Sequence, residues 1–204
     1  MIHDLVLRWL VTVLSAVSGA AWGFAIISRR RVWSEVVRCG LHLLMAIAMA
    51  VMVWPWGAQI PATGPAVFFS LAAVWFVISA LAPAETVPLR TLYGYDALMM
   101  LAMTWMYAFI HGLLLPGHSS VHHMDMDMAG KEVETSVGPP VWVTAINWCW
   151  FVGFALAAVV WTSGFGVKRA AGSTDGWWRS LNAPGQATMA AAMSVMFGAT
   201  LFQA

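Results

Sequence analysis

Six runs of predominantly apolar residues, at 5–27, 40–57, 65–82, 94–115, 141–163 and 184–203, leave little of this chain outside them. A run of about 20 such residues, coiled as a helix, matches the hydrocarbon thickness of a bilayer and satisfies its own backbone hydrogen bonds there. The sequence therefore predicts an all-α integral membrane protein of six transmembrane helices, with the lipid bilayer as its main partner. Composition agrees, since 61% of the 204 residues are hydrophobic and only 9% charged, outside the range of soluble domains. A net charge of +1 says nothing about nucleic acid, but no basic stretch interleaved with aromatics lies outside the loops expected in the cytoplasm, so no nucleic-acid partner is expected. The first run carries Asp4 and Arg8 and has no short apolar core followed by a small-residue cleavage site, so it reads as a retained span.

Orientation follows from the cations, which concentrate in cytoplasmic loops. Arg29, Arg30, Arg31 and Arg38 fall between runs one and two, Arg90 between three and four, and Lys168, Arg169 and Arg179 between five and six, whereas the remaining loops hold only Lys131. Both termini are expected to be extracytoplasmic, in the plasma membrane, and the second, fourth and sixth spans to run from cytoplasm to exterior. Cys39 then lies at the inner side and Cys149 toward the outer half of span five, so no disulfide between them is expected.

The even-numbered spans carry one template. LHLLMAIAMAVMV (41–53), YDALMMLAMTWMY (95–107) and GQATMAAAMSVMF (185–197) each read polar-x-x-Met-x-x-Ala-Met-x-x-Met. The triplets are Met45, Met49 and Met52, then Met99, Met103 and Met106, then Met189, Met193 and Met196, which together account for nine of the 14 methionines. Ala48, Ala102 and Ala192 precede the second methionines, and His42, Asp96 and Gln186 stand three residues before the first. Three matches imply three two-helix repeats, at about 1–58, 59–115 and 141–204 of a single membrane domain, arranged around a pseudo-threefold axis along the membrane normal.

At about 100° per residue, offsets of four and seven put the three sulfurs of a triplet within about 60° of one another on one helix face. If the three spans converge, the first methionines form one level, the second another about 6 Å outward and the third about 4.5 Å beyond, with His42, Asp96 and Gln186 ringing the inner end. Neutral, soft thioethers in a dry cavity suit Cu(I) and suit hard cations poorly. Copper is thus the expected metal and the small alanines would let the helices approach.

These residues resemble, in local motif, the Ctr family of eukaryotic copper transporters, whose second membrane helix carries Met-x-x-x-Met and whose homotrimer stacks methionine triads along a threefold pore. The matching positions are Met45/Met49, Met99/Met103 and Met189/Met193. The chain departs from that family in holding three copies in one polypeptide, a third methionine level and six spans. As a whole it resembles an uncharacterised family of actinobacterial multi-pass membrane proteins built on a domain of unknown function, a likeness that implies no activity.

The loop at 116–140, expected outside the cell, holds HSSVHHMDMDMAGKEVE (118–134), in which His118, His122 and His123 precede Met124, Met126 and Met128, and the methionines alternate with Asp125 and Asp127. Imidazole and thioether bind copper, and the aspartates raise the local cation concentration. His111, near the outer end of span four, lies between this loop and the methionine levels. Asp96 is a carboxylate deep in a span, where it needs a partner. His42, at similar depth, is the expected one, as an exit ligand or as a structural clamp.

The function expected is membrane copper handling, Cu(I) binding or transport. The alternative is a structural or assembly protein whose methionines are simply core, since methionine fills gaps in packed interiors and needs no metal to do so. No nucleotide motif, catalytic carboxylate pair or nucleophile triad is present, so an enzyme is not expected. Bis-histidine haem is excluded by the separation of His42 and His111, more than about 20 Å by helical rise.

Overall fold

The computed structural model describes residues 5–27, 33–55, 57, 61–82, 87–110, 140–170 and 177–202. Nearly all of them lie in six helices: α1 (Leu5–Ile27), α2 (Trp33–Val53), α3 (Thr63–Leu81), α4 (Val87–Ile110), α5 (Val141–Ala170) and α6 (Trp177–Phe202). α1 and α3 follow their apolar runs within two residues at either end. By contrast α2, α4 and α6 begin earlier than their runs, at 33, 87 and 177, and α5 continues later, to 170. All four extensions lie at the cation-bearing end. Hydropathy marks the part of a helix that crosses hydrocarbon, whereas the helix itself continues into the interfacial layer, where long basic side chains can reach water.

Five helices are long and apolar enough to cross a bilayer: Leu5–Ile27, Trp33–Val53, Thr63–Leu81, Val141–Ser163 and Pro184–Phe202. α4, expected as a sixth span, has the length at 24 residues but is not among them, because Arg90, Thr91, Asp96 and Thr104 interrupt its apolar run.

The chain forms two compact units, residues 1–60 with 141–204, and residues 61–140. In the first, α1 packs against α2 and α6, and α5 packs against α6. Trp54, just past α2, meets the N-terminal half of α1 edge-on at Trp9 and donates its indole N–H to the Thr12 hydroxyl at 3.3 Å, so α1 and α2 are antiparallel. α5 and α6 are antiparallel too, since Trp148 meets Phe202 and Phe154 stacks on Phe197. The second unit is the antiparallel α3–α4 hairpin, closed by Phe69 on Tyr107, Ser70 on Thr104 and Phe76 on Tyr93.

Burial departs from that of a soluble protein, with a largely apolar interior that also holds polar groups and an exterior of large apolar side chains. Leu5, Val6, Val13, Leu71, Ile78, Leu156 and Val160 are exposed, while Ser15, Ser18, Arg38, His42, Asp96, Asn147 and Gln186 are all at most 3% exposed. An apolar exterior around polar interior groups is the arrangement a hydrocarbon solvent favours. Hydroxyls within the helices donate to carbonyls one turn back, Thr12 to Arg8, Ser70 to Ala66, Thr104 to Met100 and Thr188 to Pro184, which satisfies them without water. The chain leaves α2 by a tight turn in which Gly57 N–H donates to the Trp54 carbonyl at 2.9 Å. A Cβ on Gly57 would collide with the Val51 carbonyl, so only glycine fits there.

Candidate functional site

The template methionines lie on the interior faces of their helices. Met45, Met49, Met99, Met103, Met106, Met189, Met193 and Met196 are all buried, and only Met52, the third of the α2 triplet, is partly exposed. Helical periodicity explains the pattern, because spacings of four and three keep a side chain on one face. The polar residue three before each first methionine shares that face, and His42, Asp96 and Gln186 are buried with it. Ala102 and Ala192 are buried as expected of close-approach positions, whereas Ala48 is partly exposed.

In the first unit, one aromatic side chain on α1 ties α2 to α6. Trp22, on α1 and 1% exposed, stacks on the His42 ring of α2 with centroids 4.6 Å apart and planes tilted by 30°. The Arg38 guanidinium carbon sits 5.7 Å from the centre of the indole, within reach of a cation–π attraction. On the other side lies α6. A Cβ built on Gly185 would come within 3.2 Å of the Trp22 Nε1, and the Ser18 hydroxyl donates to the Gly185 carbonyl at 3.2 Å. Trp22 is thus wedged between His42 and the residue that precedes Gln186.

The His42 ring is held by its own helix. Its Nδ1 lies 2.9 Å from the Arg38 carbonyl, and since a carbonyl can only accept, Nδ1 is the donor. In the neutral imidazole the lone pair is therefore on Nε2. The Trp22 N–H finds no acceptor among the described residues, an arrangement that costs about 1–3 kcal/mol when such a group is buried. The indole is therefore held by its stack on His42, the Arg38 guanidinium and the packing of α6 against it, and not by a hydrogen bond among the described residues.

In the second unit, Asp96, Met99, Met103 and Met106 line the buried face of α4, and Met100 lies buried beside them. His111, His118, His122, His123, Met124, Met126 and Met128 lie outside the described residues, as do residues 116–139 of the loop. Among the described residues no three His, Cys, Asp or Glu side chains gather into a metal-binding group. Any metal held there would rest mainly on sulfur.

Two participants escape a reading of the sequence. Arg38, counted by its charge as a loop cation, is inside α2 and 3% exposed. Trp22, one of 13 tryptophans, carries no local pattern that marks it as different from an interfacial anchor. The only signal was the run of Ser15, Ser18 and Trp22 on one helix face.

Six helices, an apolar exterior and buried polar groups on the inward faces define a multi-pass membrane protein. Residues 34–200 match the model of a domain of unknown function, DUF5134, and the chain belongs to that family. It is similar to the uncharacterized protein Rv0970 of Mycobacterium tuberculosis and to the uncharacterized protein Mb0995 of Mycobacterium bovis, at 48% identity over 210 residues in each case, with 99% of both chains covered. No solved structure matches the chain.

Proposed function

We propose that this protein handles copper in the plasma membrane, binding Cu(I) along its methionine-lined helix faces and passing it between the two sides. It acts by binding and transport, not as an enzyme, with both termini and the loop at 116–140 outside the cell. The observation that carries this reading is that eight of the nine template methionines are buried, each stripe headed by a buried polar side chain. Thioethers carry no charge and do not titrate, so they hold a soft monovalent ion without the desolvation penalty that carboxylates bring into a membrane. Modest affinity at several successive sites is also what conduction requires.

The first unit supports the idea of shared levels. α6 packs along α1 and meets Trp22 near its own start, so it runs back along α1 as α2 does. With His42 and Gly185 both against Trp22, helical rise brings Met45 level with Met189, and Met49 with Met193 about 6 Å further on.

Burial alone is equally a property of core methionine, so the test must separate sulfur from shape. Leucine fills nearly the same volume without a ligand atom. The triple variant M49L/M103L/M193L is expected to reach the membrane at the wild-type level and to bind fewer Cu(I) ions per chain, measured by metal analysis of the purified protein after Cu(I) loading. Equal Cu(I) content in the two proteins would remove copper from the account and leave a methionine-packed scaffold.

A further inference from the structure

The geometry points to a terminal Cu(I) site at the polar end of the α2 stripe, formed by the His42 Nε2, the Met45 sulfur and the π face of Trp22. This inference rests on the copper reading above and specifies where the methionine line ends. Three observations carry it. The first is the ring stack, in which the Trp22 and His42 centroids are 4.6 Å apart at a 30° tilt with both side chains buried. The indole face thus lies directly against the ring that would hold the metal. The second is the hydrogen bond from Nδ1 to the Arg38 carbonyl, which fixes the ring and turns the lone pair of the neutral form onto Nε2, as a backbone carbonyl does for metal-bound histidines in general. The third is register. Met45 follows His42 by three residues and is fully buried, so its side chain is the next one on the same helix face.

The donor set is neutral throughout: one imidazole nitrogen, one thioether and a polarisable ring face. Two-coordinate nitrogen–sulfur ligation capped by a cation–π contact suits a soft monovalent ion and excludes water, while Ca²⁺ and Mg²⁺ would find no oxygen ligands in the set. Gly185 has a positioning role. Its missing side chain lets α6 press the indole toward α2. Arg38, 5.7 Å from the indole centre, shows that this ring system accepts a cation.

The test uses the full-length protein purified in detergent and titrated with Cu(I) under anaerobic conditions. Metal content and the absorbance and fluorescence of tryptophan are read together. The wild type is expected to develop a red-shifted indole absorbance and to lose part of its tryptophan emission as Cu(I) is added. W22F is expected to lack the red-shifted band. H42Q and M45L, which keep the indole, are each expected to bind one Cu(I) fewer per chain and to lack the band as well. Should W22F fail to fold, H42Q and M45L decide the matter alone. If these variants match the wild type in both metal content and spectrum, while M49L/M103L/M193L has lost copper, the terminal site is overturned and the copper reading stands. If the wild type itself takes up no Cu(I), both fall.

Discussion

Gly185 and Gly153 are both helical glycines, yet their surroundings assign them opposite sensitivities. A Cβ at Gly185 would lie 3.2 Å from the Trp22 Nε1 and 3.3 Å from its Cε2, whereas one at Gly153 meets nothing within 4 Å. The indole cannot retreat freely, because His42 is stacked against it. G185V is therefore expected to lower stability by about 1–3 kcal/mol through overpacking. G153A removes a helix-interior glycine at no steric expense and is expected to raise stability by about 0.5–1 kcal/mol. Unfolding of the two variants in detergent, followed by helical circular dichroism, checks the pair, and a neutral G185V would mean that α6 does not press on Trp22. At this scale the sequence reveals little. It shows that a glycine precedes Gln186, but a contact between residues as far apart in the chain as Trp22 and Gly185 leaves no periodic trace.

Elements were far more legible, because apolar length and cation placement report directly on a solvent that is itself layered. The six apolar runs locate the six helices, and the four mismatched ends extend into the cation-bearing segments, where hydropathy loses its signal. α4 is the instructive case. Asp96 and Arg90 weaken its apolar signal, yet Met99, Met103 and Met106 give it a buried face, so packing and not hydropathy holds it in place. α5 is the reverse, the least buried of the spans, with Val152, Leu156, Val159 and Val160 exposed. If that face meets lipid, a charge at its middle should block insertion. V152R is expected to cost about 2.5–3.5 kcal/mol for an arginine at the centre of a span, seen as a loss of membrane-integrated protein in a glycosylation-based insertion assay. Wild-type integration of V152R would show that this face is not exposed to hydrocarbon.

At the scale of the whole molecule, the α1–α2 and α3–α4 hairpins correspond beyond their methionines, whereas α5 does not follow, since Val159 and Thr162, at the positions equivalent to Ser15 and Ser18, are exposed. Ser15, Ser18 and Trp22 on α1 and Phe69, Ala72 and Phe76 on α3 are all buried, and each pair stands at the same spacing in number as His42 and Asp96 or Met45 and Met99. Phe76 packs on Tyr93 just as Trp22 packs in a cluster with Cys39, again at that spacing. The odd helices had hidden this correspondence, because serine and phenylalanine, or tryptophan and phenylalanine, share a buried position without sharing chemistry. What is conserved between the two hairpins is which face is buried, and only the even helices fill that face with the same atom type. Methionine kept at equivalent positions fits either a copied packing motif or the ligand role proposed above, and the leucine substitutions separate the two. On the copper reading proposed above, the loop at 116–140 would have a separable task, concentrating copper before it reaches the helices. Deleting residues 118–128 is expected to leave the Cu(I) content of the saturated helices unchanged and to raise the external copper needed for half-maximal loading of expressing cells, roughly tenfold if the loop acts by local enrichment. Copper content measured across a range of external concentrations distinguishes the two effects. A loading curve that coincides with that of the full chain would reduce the histidines and methionines of the loop to incidental residues, while leaving the buried stripes to be judged by their own substitutions.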